Sequence, residues 1–244
     1  HYDGHLKVID SAGDIAADGV PVSEYRSLVG EASNVDSYLK SPYFKPAVAD
    51  DDPITDGMYR VGPLARVNMA TAMGSPSADA AQAEFKNRAD GIATSSFFFH
   101  YARLIEVLAC TEQMRTLLEH DHVTDAMVRA SGGVNHRRAV GASEAPRGTL
   151  FHEYHVDANG ILDDVNMIIA TGQNNLAMNA TVHQIAKEWI DGPEIPEGIL
   201  NRVEAGIRAF DPCLSCSTHA IGQMPLVVTL VDSAGETVCE RIRG

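Results

Sequence analysis

Apolar residues recur along this chain with two different periods, and the switches between them lay out its elements. Leu6-Lys7-Val8-Ile9 reads as a strand, Ser11-Ala12-Gly13-Asp14 as a turn and Ile15-Ala16 as the return strand. Val22, Tyr25, Leu28 and Val29 then fall at helical spacing, with Ser23 a candidate cap. Residues 34–64 carry Pro42, Pro46, Pro53 and Pro63 and the acidic run Asp50-Asp51-Asp52, which predicts a long irregular stretch with short extended pieces. A mixed apolar segment over 64–74 ends at Gly74-Ser75-Pro76, and an alanine-rich helix opens at Ser77-Ala78-Asp79 and runs to Asn87. Tyr101, Leu104, Ile105, Leu108 and the residues on to Leu118 keep the helical period and predict a longer helix.

Polar positions refine that outline. His100, Arg103 and Glu106 recur every three residues on the predicted helix and can form a ladder along one face. That ladder is either a solvated ion-pair face or a face turned toward a partner or a site. Residues 120–143 are polar and irregular, and His120, His122 and His136 within them read as surface histidines. Residues 149–156 and 161–170 predict two strands joined by the turn Asp157-Ala158-Asn159-Gly160. Met178, Val182, Ile185, Ala186 and Trp189 mark an amphipathic helix stopped by Gly192-Pro193. Ile199, Leu200, Val203, Ile207 and Phe210 mark another, which delivers the chain to Asp211. Residues 226–242 read as strand, Asp232-Ser233-Ala234-Gly235 turn and strand. Periodicity therefore reaches helices plus antiparallel hairpins, an α+β, mainly helical class.

Composition changes the picture in three respects. With 244 residues, 45% hydrophobic and 21% charged, the chain can bury a core of ordinary globular kind. A formal charge of −14 argues against a nucleic acid or an anionic membrane surface as partner. There is no apolar run of the roughly 20 residues a bilayer span needs, and no signal peptide pattern. Cys110 and Cys239 stand alone, so a disulfide framework is not expected and a reducing cytoplasm fits. The opening His1-Tyr2-Asp3-Gly4 lacks a Met and leads into a strand already under way, so residue 1 is read as an internal point of a longer protein.

Chemistry concentrates in Asp211-Pro212-Cys213-Leu214-Ser215-Cys216-Ser217-Thr218-His219. Two soft thiolates three residues apart can hold one metal ion, and a histidine three residues further can face the same side of a helix. A redox pair of thioredoxin type should follow a strand, whereas this one follows a predicted helix. A structural zinc site needs four ligands, and Cys110 and Cys239 do not form a second pair. Two readings remain beside these: half of a metal site completed from elsewhere, or two small residues packed in a core.

Several stretches together carry a family pattern. Asp211-Pro212-Cys213-Leu214-Ser215-Cys216-Ser217-Thr218-His219-Ala220 resembles the C-terminal motif of the [NiFe] hydrogenase large subunit. The residues from Tyr59 to Asn68 (YRVGPLARVN), from His100 to Glu106 (HYARLIE), from Glu144 to Leu150 (EAPRGTL) and around Gln173-Asn174-Asn175 resemble the same subunit, in the same order. They are most similar to its cytoplasmic, bidirectional, NAD(P)-linked group.

The resemblance implies a role for individual positions. Cys213 would be a terminal nickel ligand and Cys216 a thiolate bridging nickel and iron. His219 would bind a structural magnesium ion, with the backbone carbonyl near Asn175 as a second ligand. Pro146 and Arg147 would sit over cyanide and carbon monoxide on the iron, and Asp211 would face the same pocket. Physical chemistry is compatible with this: a guanidinium stays charged and offers five donors, which suits anionic ligands and electrostatic stabilisation better than proton abstraction. Asp211 can orient Arg147, and Gly148 suits close backbone packing. The implied reaction is reversible heterolytic cleavage of dihydrogen, a proton passing to a terminal thiolate such as Cys213. Electrons would leave through the iron–sulfur clusters of a small subunit, then through a diaphorase module binding NAD(P). A maturation protease and nickel chaperones would be further partners.

Two departures from the family pattern qualify the expectation. The family draws two of its four thiolates from an N-terminal Cys-x-x-Cys motif that these residues lack, so residues 1–244 are expected to be the C-terminal part of a large subunit. The family is also cut after the histidine matching His219, so residues 220–244 are expected to be the extension of a precursor. The competing readings are a subunit of a quinone-reducing respiratory complex that shares the fold, which Cys213 and Cys216 argue against, and a non-catalytic zinc or redox module.

Overall fold

The structure is a computed structural model and describes residues 4–35, 37–49, 52–129, 136–214 and 225–243. Its strands pair only with near neighbours in sequence. β1 (Leu6–Ile9) pairs antiparallel with β2 (Ile15–Val20), and β3 (Val29–Asn34) with β4 (Ser37–Phe44). β5 (Arg138–Ala145), β6 (Gly148–Val156) and β7 (Leu162–Ile168) form a three-stranded antiparallel sheet in that order. β8 (Leu226–Val231) and β9 (Thr237–Arg243) close a last hairpin. Between them lie α1 (Pro63–Met69), α2 (Pro76–Arg88), α3 (Phe98–Leu118), the single turn α4 (Ala170–Gln173), α5 (Asn175–Trp189) and α6 (Glu197–Ala209).

Three apolar clusters hold these elements. Leu64 and Val67 of α1, Phe85 of α2, Phe99, Ala102 and Ile105 of α3, Ala177 of α5 and Phe210 after α6 form the helical core. Tyr25, Leu28, Val29, Phe44, Phe151 and Ile168 form a second core between the small sheets, with the Tyr25 and Phe151 rings stacked at 4.9 Å. In the third, Ile195, Ile199, Leu200 and Val203 meet Leu226, Val228 and Leu230 of the last hairpin. The first two clusters join elements far apart in sequence and the third seats the last hairpin on α6, which is how short hairpins and helices that could not stand alone become stable.

Several expectations need correction. Val22–Ser27 is a short 3-10 segment entered at Pro21, not a helix capped by Ser23; Leu28 and Val29 already belong to the sheet core. The stretch expected to be irregular after residue 34 contains all of β4, which tolerates Pro42 because it pairs with β3 alone and keeps an open edge. The polar stretch 120–143 ends in β5, a strand of small residues whose weak alternation hides it from pattern reading. α1 forms where a mixed segment was expected, with Pro63 at its first position. The helices expected over α2, α3, α5 and α6 and the hairpins over β6–β7 and β8–β9 are present.

Candidate metal centre

The β5–β6 turn carries Pro146 and Arg147 toward the end of α6, and its conformation is dictated by two glycines. Gly148 has φ +141°, and a Cβ there would lie 2.3 Å from Val61 Cγ2. Gly62 has φ +95°, and its Cβ would lie 2.6 Å from the Arg147 carbonyl oxygen. Only residues without a side chain let the 61–62 and 147–148 backbones approach this closely. The expectation that Gly148 serves close backbone packing is met.

Three polar side chains on and beside α4 tie this contact to the rest of the site. The Asn174 carboxamide accepts from Val61 N at 2.9 Å and donates to Val61 O at 3.3 Å and Arg147 O at 3.4 Å. Gln173 donates to Thr149 O and accepts from the Tyr59 hydroxyl at 2.9 Å. Burial, with the Glu31 carboxylate adding to it, pushes the Tyr59 phenol well above its ordinary range, so it remains a donor and fixes the Gln173 amide. Thr171 Oγ1 accepts from the backbone N–H of Cys213 at 3.1 Å. All three are buried; Gln173 and Asn174 were picked out only as part of a motif, with no role of their own, and Thr171 was read only as part of the segment leaving the hairpin. The available signal was a run of polar residues set directly between apolar ones, where side chains must find partners on other segments.

Arg147 meets Asp211. Its Nε donates to the Asp211 carbonyl at 2.5 Å, and its Nη2 lies 3.4 Å from Asp211 Oδ1. Asp211 sits one residue past the α6 C-cap Phe210 with φ +51°, the left-handed position that glycine usually fills. From the other side, Arg103 of α3 brings its Nε to 3.9 Å from Asp211 Oδ2 and donates to Ala209 O at 3.0 Å. Burial pulls the Arg103 pKa down, and Asp211 opposes that pull. One rung of the polar ladder on α3 is present, Arg103 Nη1 lying 3.3 Å from Nδ1 of the exposed His100, while Arg103 also faces Asp211 and Glu106 turns to Arg66.

Arg66 of α1 is the second arginine at the turn. Nε and Nη2 grip both oxygens of Glu106 at 2.5 and 2.7 Å; Nη1 donates to Glu144 Oε2 at 2.6 Å and Ala145 O at 2.9 Å; Nη2 also donates to Pro146 O at 3.2 Å.

The structure therefore brings Pro146, Arg147, Asp211 and Cys213 into one neighbourhood, with Cys213 half-buried. Asn175 is the first residue of α5, beside the Asn174 clamp. Cys216 and His219 lie outside the described residues. Cys213 is disulfide-bonded in this structure, so it offers a soft ligand to a nickel–iron centre once that bond is reduced, on a backbone anchored by Thr171. Arg147, among the described residues, gives hydrogen bonds only to Asp211, leaving guanidinium N–H groups for an anionic neighbour. Among the described residues His120 and His122 are exposed, their rings tilted by 38° with centroids 5.3 Å apart, and no helix is long and apolar enough to cross a membrane.

Comparison with known proteins gives this geometry a class. The nickel-dependent hydrogenase family model matches residues 11–219, so the chain belongs to that family. More particularly, it is 39% identical over its whole length to the NAD-reducing hydrogenase HoxS subunit beta of Cupriavidus necator, covering 49% of that protein. It is 40% identical to an F420-non-reducing hydrogenase polypeptide of Methanothermobacter marburgensis, over 97% of this chain and 50% of that one. In structure it is similar to an NAD+-reducing [NiFe] hydrogenase crystallised in the H2-reduced state, with TM-score 0.80, 40% identity, and coverage of 89% of this chain and 47% of that one. A nickel–iron–selenium hydrogenase from Desulfovibrio vulgaris Hildenborough shares the fold at TM-score 0.53 and 18% identity, over 87% of this chain and 48% of that one. The chain spans about half the length of the curated relatives it matches.

Proposed function

We propose that the chain is part of the catalytic subunit of a soluble, cytoplasmic nickel–iron hydrogenase that cleaves dihydrogen heterolytically and reversibly, coupled to NAD(P) through partner subunits. The observation that carries the reading is the incompletely used guanidinium of Arg147, held by Asp211 two residues before Cys213. Cys213 and Cys216 would hold the nickel–iron centre, with further thiolates from outside residues 1–244, and Pro146 and Arg147 would face cyanide and carbon monoxide on the iron. His219 and the Asn175 carbonyl would hold a structural magnesium ion; a helical carbonyl has a second lone pair beyond its intrahelical bond.

When bound, the centre supplies the polarisation and electron transfer that split the H–H bond. Cys213 Sγ, a thiolate once its disulfide has been reduced, would take up the proton. Arg147 stays charged and stabilises negative charge in a partly desolvated site. Asp211 orients that guanidinium, and the Thr171 hydroxyl holds the Cys213 backbone in place. With Cys213 and Cys216 assigned to the metal, only Cys110 and Cys239 remain in the chain, so iron–sulfur clusters belong to a small-subunit partner and NAD(P) to a diaphorase module. Residues 220–244 are read as an extension that a maturation protease removes after nickel chaperones have loaded the site; the family match ending at residue 219 supports this.

Metal analysis and infrared spectroscopy of the enzyme assembled around this chain test the reading. Nickel and iron should be found together, with bands of iron-bound cyanide and carbon monoxide, and Cys213→Ser should abolish hydrogen turnover. Zinc alone, or no metal with turnover retained in the serine variant, would overturn it.

A further inference from the structure

We propose that Arg66 is a positioning residue for Arg147: its fully committed guanidinium fixes the 144–146 backbone, and so sets where the Arg147 guanidinium stands relative to Asp211. The inference rests on the functional reading above for its consequence, and on geometry alone for its substance.

A guanidinium has five N–H donors in a rigid planar fork. Arg66 uses all of them: one on each oxygen of Glu106, one on Glu144, and one each on the carbonyls of Ala145 and Pro146. The Glu106 grip is bidentate and comes from α3, which is packed into the helical core through Phe99, Ala102 and Ile105. Burial lowers the Arg66 pKa, but Glu106 and Glu144 more than reverse this, so the charge is held. The fork thus has a fixed base on α3 and two arms on the turn. Its arms end on main-chain carbonyls immediately before Arg147, and Asn174 holds the next carbonyl, that of Arg147 itself.

An arginine placed only to neutralise two glutamates would not need those carbonyls. Lysine keeps the charge but is a point donor with three rotatable N–H groups and cannot span the five acceptors. Arg66→Lys therefore separates charge from geometry. Glu144→Gln removes one arm's charge while leaving the Glu106 grip and both carbonyl contacts, and it serves if the lysine variant does not accumulate.

The primary readout needs no metal: hydrogen exchange of the Arg147 Nε–H, followed by NMR in the assembled protein. Donated to the Asp211 carbonyl, this proton is slow to exchange; its exchange should rise about tenfold in Arg66→Lys, the equivalent of one hydrogen bond lost, and less in Glu144→Gln. In the nickel-loaded enzyme, kcat should fall about a hundredfold in Arg66→Lys, the scale of a 1 Å misplacement, with KM for hydrogen unchanged and the cyanide bands shifted in the same direction as in an Arg147→Lys variant measured alongside. Unchanged Arg147 exchange with a lowered Tm would reduce Arg66 to a stabilising ion pair and overturn the inference. Absence of cyanide bands from the unmodified enzyme would instead overturn the functional reading, and the exchange result would still decide what Arg66 does.

Discussion

The β5–β6 ribbon carries an arginine–carboxylate cluster at each end, and the two are built in opposite senses. Away from the turn, Glu153 is buried and its two oxygens are filled: Tyr25 at 2.8 Å, Arg26 at 2.7 Å, Arg138 at 2.7 Å and His155 at 3.2 Å. Burial alone would raise its pKa; the hydrogen bonds from Arg26, Tyr25, Arg138 and His155 outweigh that and hold it well below the usual carboxylate range. At the turn, Arg66 is saturated in the same way, but its neighbour Arg147 is not. A saturated group can do nothing except hold. An unsaturated guanidinium at the mouth of a site has donors left for chemistry, and it can be left so because a saturated neighbour fixes the backbone beneath it.

This contrast predicts that substitutions at the two ends separate activity from stability. The largest effect is expected for Arg147→Lys in the assembled enzyme: kcat for hydrogen oxidation should drop about 100- to 1,000-fold, as for loss of a stabilising donor, while Tm stays within a few degrees. A Tm collapse with proportionate loss of nickel would show that the turn end also serves the fold. Next comes Glu153→Gln, expected to destabilise by about 3 kcal/mol in denaturant unfolding because it breaks a buried charge cluster, with turnover per nickel-loaded enzyme unchanged. The sign with pH follows from the lowered folded-state value. The carboxylate's contribution is full above the ordinary value of 4.5 and is lost as pH falls toward its folded-state value. The gap between wild type and the glutamine variant should therefore narrow on acidification; a gap that widens would contradict the assignment.

The smallest effect on stability is expected at Asp211→Gly. Glycine removes the cost of a left-handed non-glycine residue, about 1–2 kcal/mol, and loses half-exposed pairs with Arg147 and Arg103 worth at most about 1 kcal/mol each. The two nearly cancel, so unfolding should move little while kcat falls clearly. A strongly destabilised glycine variant would mean that Asp211 is kept for the fold.

The helical half of this molecule was readable because its signal is local. α3, α5 and α6 keep apolar residues at helical spacing, and β6–β7 and β8–β9 flank turn tetrapeptides. β5 was not readable, because Ala139, Gly141, Ala142 and Ala145 leave Val140 as its one branched side chain, with nothing to alternate with. At the site, Cys213, Arg147, Pro146 and Asp211 stood out through motifs. Arg66 stood in a quoted motif but received no role: it sits among apolar helix residues, and its partners come from α3 and the β5–β6 turn. Asn174 was passed over beside Asn175 for the same reason, since what it holds lies at Val61 and Arg147.

The bonds that fix Arg147 close very long loops. Val61 meets Asn174 across 113 residues, Arg66 meets Pro146 across 80, and Arg147 meets Asp211 across 64. Contacts of that range form late, after the entropy of bringing distant segments together has been overcome. In a chain emerging from the ribosome, the 61–62 segment and Arg66 wait for the turn at 145–148, and that turn waits in turn for Asn174 and Asp211. The guanidinium reaches its place only when synthesis has passed the end of α6, so a chain broken off before Asp211 carries the cationic group without its alignment, and correct alignment doubles as a record that synthesis went beyond α6.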